Sequence, residues 1–194
     1  MITPIIKTAA TALDESSLID VLVGAFIEDP VSRWAWPDSQ QYLMHFPSLV
    51  RALGGKAFKH GSAYYVDGYA GAALWLPPDL GPDEDVLVSL FQRTVSEQIQ
   101  KDILAVFKQM GHYHPSEPHW YLTLMGVDPL QQGKGFGSAL LQHALIQCDR
   151  DRKLAYLESI PRSILLYQRH GFELLGTIQV GMSPPLFPML RRPR

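Results

Sequence analysis

The chain has 194 residues, a formal net charge of −2 and 46% hydrophobic residues, which suits a single domain over residues 1–194 with a sizeable core, burying roughly 70% of its unfolded surface. The near-neutral charge gives no electrostatic case for nucleic acid, and the basic end Arg191-Arg192-Pro193-Arg194 is too short to change that. No apolar run reaches the ~18–20 residues that span a bilayer, Met1-Ile2-Thr3-Pro4 lacks the basic and apolar regions of a signal peptide, and Cys148, the only cysteine, allows no internal disulfide, so a cytoplasmic protein without membrane or nucleic-acid partners is expected.

Ile5 and Ile6 predict a short first strand. Leu18, Val21, Leu22, Ala25 and Phe26 fall at helical spacing and predict a helix with one apolar face. Asp29-Pro30 ends it, because the residue before proline avoids helical dihedrals. Gln40 to Leu53 predicts a second helix, bent at Pro47 and stopped by Gly54-Gly55. Residues 63–66 and 72–76 read as strands around an Asp67-Gly68 hairpin turn. After a loop at 77–82, the stretch Asp83 to Met110 reads as helical, in one piece or two, and His112 to Pro118 as a loop. A strand over 119–127, a helix from Gly135 to Asp149, a strand over 154–158 and a helix from Ser163 to His170 follow. Phe172 to Val180 and Leu186 to Leu190 close the sheet. Strand–helix–strand implies a parallel pair with a crossover helix, while the hairpin implies antiparallel strands. The pattern therefore predicts an α/β (α+β) fold, a mixed sheet with helices on both faces.

The most informative stretch is Gln132-Gly133-Lys134-Gly135-Phe136-Gly137, set between the strand ending at Val127 and the helix starting near Gly135. A glycine-rich turn at a helix start presents unpaired backbone N–H groups at the positive end of the helix dipole, a site for phosphate oxygens. A P-loop is excluded because Lys134 is followed by glycine rather than Ser or Thr. The alternating glycines and their late position do not suit a dinucleotide-binding fingerprint. What they fit is Gln/Arg-x-x-Gly-x-Gly/Ala, filled by Gln132, Gly135 and Gly137.

That hexapeptide resembles the acetyl-CoA signature of the GCN5-related N-acetyltransferases (GNAT). Val127-Asp128-Pro129 before it is similar to the family's Val-x-Pro, and Tyr167-Gln168-Arg169-His170-Gly171-Phe172 after it is similar to the family's Tyr-x-x-x-Gly-Phe. Phe26 to Pro30, Ala73 to Pro78 and Pro185 to Arg191 resemble the branch that includes puromycin N-acetyltransferase-like proteins. The resemblance implies a mostly antiparallel twisted sheet whose central parallel strand pair splays at a cofactor slot. It implies acetyl-CoA as cofactor and transfer of an acetyl group to a primary amine. The expected acceptor is a small molecule, with a protein or peptide acceptor, or a non-catalytic acyl-CoA-binding module, as the alternatives. A monomer or homodimer is expected.

The resemblance also assigns roles. Gln132, Gly133, Lys134, Gly135, Gly137 and Ser138 would hold the pyrophosphate, with Met125 and Val127 on the cofactor side of the strand and the Val127 N–H toward the thioester oxygen. Lys134 adds a point charge or is simply solvated. Tyr167 matches the tyrosine that protonates the coenzyme A thiolate in many members, and its ordinary pKa of about 10 keeps it protonated at neutral pH; a packed core aromatic is the alternative. An asparagine common in the puromycin-like branch is replaced by Ser163. An ammonium must lose a proton before it can attack, whereas an amine that arrives neutral needs no base. Glu158, at a strand end beside the slot, is the first candidate base, with Glu28 and Asp29 behind it. Gly126 suggests a strand bulge that opens the slot, or close packing. Cys148 reads as core, and Trp34, Trp36, Trp75 and Trp120 as core or as walls of an apolar acceptor pocket. His112, His114 and His119 lack the motif context of a metal site, and no metal is expected.

Overall fold

The computed structural model describes residues 4–194. Met1 to Thr3, part of the stretch read for a signal peptide, lie outside the described residues. One sheet carries β1 (Ile6–Thr8), β2 (Ala63–Val66), β3 (Gly71–Leu76), β4 (His119–Val127), β5 (Leu154–Ser159), β6 (Glu173–Leu174) and β7 (Phe187–Arg191). The order is β1-β2-β3-β4-β5-β7-β6. All neighbours are antiparallel except β4 and β5, which run parallel. The helices are α1 (Ala12–Ala25), α2 (Pro30–Ala35), α3 (Ser39–Gly54), α4 (Lys56–Lys59), α5 (Glu84–Thr94), α6 (Glu97–Tyr113), α7 (Phe136–Arg150) and α8 (Ile164–Arg169). The sheet is therefore mixed and mostly antiparallel, with one parallel pair, as expected. Among the described residues no helix is long and apolar enough to cross a membrane.

The period of two along the strands sorts side chains onto two cores. Leu74, Leu76, Tyr121 and Tyr156 face α1, α3, α5 and α6, where Leu18, Leu22, Phe46, Leu90 and Ile103 meet them. Ala73, Trp75, Leu122 and Leu157 face α7 and α8, against Leu140, Leu141, Ala144 and Tyr167. Cys148 lies fully buried in that second core, and burial pushes its thiol up to about 12. Trp36, Trp75 and Trp120 are also core residues.

The parallel pair is short. β4 and β5 are in register only from His119↔Leu154 to Leu122↔Leu157. Beyond that point Thr123 to Val127 keep company with β3 alone, and Glu158 and Ser159 pair with Pro188 and Phe187 of β7. The two strands therefore part, and a cleft opens between them. The irregularity that accompanies this parting is not at Gly126. The β3–β4 register slips between Leu74 and Trp75, which face Leu124 and Leu122, so Thr123 is the extra residue of the bulge. Its Oγ1 donates to the Leu74 carbonyl at 3.2 Å. Gly126 sits in regular register opposite Ala72. A Cβ there would lie 2.5 Å from the Ala25 Cβ of α1. Close packing of α1 on the sheet, not a bulge, requires the glycine.

Two other expectations change. Asp29-Pro30 does more than end a helix: it starts α2, with Asp29 Oδ1 accepting from the N–H groups of Val31 and Ser32 and Pro30 in the first turn. The strand expected from Phe172 to Val180 shrinks to Glu173-Leu174 and a single bridge, Ile178↔Leu186. The Pro188 carbonyl accepts from Leu175 N–H at 2.9 Å, but proline has no N–H to return, so the ladder stops. The Asp83–Met110 stretch is two helices, broken at Val95 and restarted by Ser96, whose Oγ accepts from Ile99 N–H.

Candidate active site

The glycine turn is built as its residues dictate. Asp128 Oδ1 accepts from Leu130 N–H at 2.9 Å and starts a short 3-10 turn over Pro129–Gln131. Gly133 and Gly135 then adopt φ of +77° and +84°, the left-handed region that side chains with a Cβ disfavour. Gly135 is the cap residue of α7, and no side chain caps that end, so the first N–H groups of α7 are left for another partner. A Cβ at either glycine would meet nothing within 4 Å, so open space lies in front of the turn.

That space is a cleft of about 500 Å³ running into the parting of β4 and β5. Met125, Val127, Gln132, Gly133, Gly135, Gly137 and Ser138 all line it. Gln132 Nε2 also donates to the Val127 carbonyl at 3.2 Å and ties the turn to the strand end. Lys134 does not line the cleft; its ammonium donates to Gln131 Oε1 at 2.6 Å. The positive side chains along the cleft are instead Arg162 and Arg169, which the sequence reading missed. Uncapped helix N–H groups, a turn with glycines at 133 and 135 open to the cleft and two guanidinium groups fit a polyphosphate, and the slot between the strands fits the narrow arm of a coenzyme A thioester.

Tyr167 and Glu158 lie on the same cleft. Tyr167 projects from α8 with its ring edge-on to Phe172, centroids 5.9 Å apart. Burial alone raises its pKa, so it keeps its proton. Glu158 is the penultimate residue of β5, its side chain only 6% exposed. Its Oε2 accepts from the Tyr121 hydroxyl at 2.8 Å. His114 Nε2 lies 3.3 Å from Oε1, but outside hydrogen-bond geometry, and Oε1 has no hydrogen-bond partner among the described residues. The Tyr156 hydroxyl beside it is likewise buried and unpaired. Burial and the neighbouring Glu158 carboxylate raise the pKa of Tyr121 and of Tyr156, so both stay neutral. Burial lowers that of His119, whose Nδ1 lies 2.8 Å from the Glu117 carbonyl. Asp29 lines the cleft too, but its carboxylate is committed to capping α2, and burial raises its pKa. Glu28 is exposed and does not line it.

A second cavity, about 670 Å³, lies beyond Glu158. Tyr121 and His114 line it, so the Tyr121–Glu158 hydrogen bond is the partition between the two spaces. The loops at 77–82 and 111–118 form its walls. None of the four tryptophans lines either cavity. No group of three or more His, Cys, Asp or Glu is placed to hold a metal among the described residues. The sequence reading did not name Tyr121, although the alternation along β4 and its expected place beside β5 were a signal for it. His114 carried no such signal, because only the fold brings that loop to the strand end.

Residues 95–174 match the model of the acetyltransferase (GNAT) domain. An uncharacterized N-acetyltransferase of Schizosaccharomyces pombe is 24% identical over 200 residues, covering 94% of this chain and 81% of the relative. A solved structure from Corynebacterium glutamicum, described as histone acetyltransferase HPA2 and related acetyltransferase, is 28% identical with a TM-score of 0.71, covering 100% of this chain and 98% of that one. An agmatine N-acetyltransferase shares the fold at 13% identity and a TM-score of 0.68, over 98% of this chain and 100% of its own. With the glycine turn, the parted strands and the match over β4, α7, β5 and α8 in hand, the chain carries a GNAT acetyltransferase domain and is an acetyltransferase of that type.

Proposed function

We propose that the enzyme is an acetyl-CoA-dependent N-acetyltransferase that acetylates a primary amine of a small molecule by direct attack. The observation that carries the reading is the position of Glu158: a buried carboxylate on the cofactor cleft that accepts from the Tyr121 hydroxyl, and Tyr121 lines a second cavity. Acetyl-CoA, when bound, supplies the acetyl group as a thioester. The N–H groups at the start of α7, with Arg162 and Arg169, hold its phosphates. Met125, Val127 and Ser163 border the arm, and the Val127 N–H is the donor for the carbonyl oxygen as negative charge grows there. Glu158 takes the proton of the incoming ammonium, which frees the nitrogen lone pair for attack. As the C–N bond forms and the C–S bond breaks, Tyr167 would give its proton to the departing sulfur, and the second proton shed by the nitrogen passes to solvent, from which Tyr167 recovers its own. Lys134 contributes through its backbone, since its ammonium is held away by Gln131. Placement in the puromycin N-acetyltransferase-like branch belongs to this reading and rests on segments 26–30, 73–78 and 185–191.

Free-thiol release from acetyl-CoA, measured over a panel of small primary amines and short peptides, tests the proposal. Turnover with small amines is the expected result. No release with any amine would favour an acyl-CoA-binding module. Release with peptides alone would move the acceptor to a polypeptide.

A further inference from the structure

The Glu158 side chain is buried, yet among the described residues its carboxylate accepts a single hydrogen bond, from the Tyr121 hydroxyl to Oε2 at 2.8 Å. Oε1 accepts none. His114 Nε2 stands 3.3 Å from Oε1 without bonding it. The Tyr156 hydroxyl, on the same face of β5 by the period of two, bonds nothing. The place of the one bond matters as well. Tyr121 pairs with Tyr156 in the parallel ladder, which ends one step later at Leu122↔Leu157. Glu158 is the first residue of β5 beyond that end. The bond therefore spans β4 and β5 at the fork where the cleft opens. Glu158 lines the cleft and Tyr121 does not, so Tyr121 reaches the cleft only through Glu158.

We infer that Tyr121 is a positioning residue: its one hydrogen bond holds the Glu158 carboxylate ionised and fixed at the fork, where it takes the proton of the incoming ammonium. The inference rests on the reading of Glu158 as the base and deepens it. Burial disfavours an ionised carboxylate, and a donor to the charged form favours it. A base must be ionised to accept a proton. The Tyr121 hydroxyl remains a donor, because burial and the Glu158 charge raise its pKa well above the ordinary value. The other groups around the carboxylate are His114, His119 and Tyr156 on the sheet side, with Tyr113 behind Tyr156. Along the cleft they are Asp29, Arg162, Tyr167 and Arg169. A change at Tyr121 leaves all of these in place, so they cancel when the variant is compared with the wild type.

Infrared titration of carboxyl groups reads Glu158 without any ligand, its band assigned by its loss in Glu158→Gln. Tyr121→Phe removes one hydroxyl and keeps the ring beside His114 and Tyr156. The midpoint at which the protonated band appears should rise by about one pH unit. The acidic limb of kcat/KM, measured by thiol release with the fastest amine of the panel above, should move with it, a loss of about tenfold along that limb, with coenzyme A affinity unchanged. Tyr156→Phe removes a hydroxyl that bonds nothing and should move neither. Replacement of Tyr121 by 3-fluorotyrosine, a stronger donor of nearly the same size, should move the midpoint the opposite way and reads the bond without emptying its place. An unmoved midpoint in both Tyr121 variants would overturn the inference, as would an equal shift in Tyr156→Phe. A loss of the same size when Tyr121→Phe is added to Glu158→Gln would overturn it too, because Tyr121 would then act by another route. A shifted midpoint with an unshifted limb would leave the bond standing and overturn the base reading on which its role rests.

Discussion

Glu158→Gln separates a base from a structural carboxylate. The substitution conserves volume, and the amide oxygen can still accept from the Tyr121 hydroxyl, now 2.8 Å from Oε2, so the partition should survive. What is lost is the capacity to take a proton. An alkyl amine with a pKa of about 10.4 is neutral in roughly one molecule per 2,500 at pH 7. A protein without a base must wait for that fraction. General base catalysis is typically worth ~10²–10⁴-fold, and a loss of about 10²-fold in kcat/KM corresponds to about 2.7 kcal/mol of transition-state stabilisation.

The pH profile carries the stronger test. In Glu158→Gln, kcat/KM should climb about tenfold per pH unit from 7 toward 10, following the neutral amine. In the wild type it should level off earlier, because Glu158 accepts the proton within the complex. The other groups facing this carboxylate are His114, His119, Tyr121 and Tyr156. The two tyrosines stay protonated through that window, their pKa values raised by burial and by Glu158 itself. His119 is held neutral, because burial lowers its pKa, so none of these three changes charge in the range where the profiles are compared. Parallel profiles with equal rates would refute the reasoning, and Glu158 would then be a partner for Tyr121 rather than a base.

Tyr167→Phe removes one hydroxyl from the cleft and keeps the ring on Phe172; kcat should fall about 10²-fold with KM for acetyl-CoA little altered, whereas full kcat with a lower Tm would make the hydroxyl structural. Gly135→Ala forces a Cβ into φ of +84° at a cost of roughly 1–2 kcal/mol. Calorimetry should show coenzyme A affinity reduced at least tenfold, and unchanged affinity would remove the turn from the phosphate site. Asp149→Asn strips Arg191, itself only 4% exposed, of its two carboxylate contacts at 2.8 and 2.9 Å. Breaking a buried pair costs about 3–5 kcal/mol, and the low end applies because the Asp149 side chain is 28% exposed. The hydrogen bond from Arg191 lowers the Asp149 pKa. The pair's contribution is therefore full above the ordinary carboxylate pKa and lost as pH falls through the lowered folded value. Tm of wild type and Asp149→Asn should converge on acidification, and a constant difference would show that the charge plays no part.

The two halves of the site were not equally legible in the sequence, and the reason is distance along the chain. The cofactor half is local: a strand, a glycine turn and a helix follow one another from His119 to Arg150, so period and punctuation suffice to place Met125, Val127, Gln132, Gly133, Gly135, Gly137 and Ser138 together. Even there, Gly126 was ambiguous, because a glycine in a strand has two physical causes and only Ala25, a hundred residues away, decides between them. Lys134 and the two arginines show the same limit: charge is visible in a sequence, but whether it turns toward a cleft is set by neighbours such as Gln131. The second cavity has no local signature. It is assembled from the α3 end at Leu53, the loop at Asp79, α5 at Glu84, α6 at Phe107 and the His114 turn. Leu53, Asp79 and Glu84 lie outside residues 95–174, the segment that matches the acetyltransferase domain. Glu158 and Tyr167, the residues proposed to react, lie inside it. Substitution at 53, 79 or 84, none of which lines the cofactor cleft, should therefore leave coenzyme A affinity as it is. Likeness over the matched segment speaks for the acetyltransferase domain, while the second cavity is walled by side chains that only the folded chain brings together.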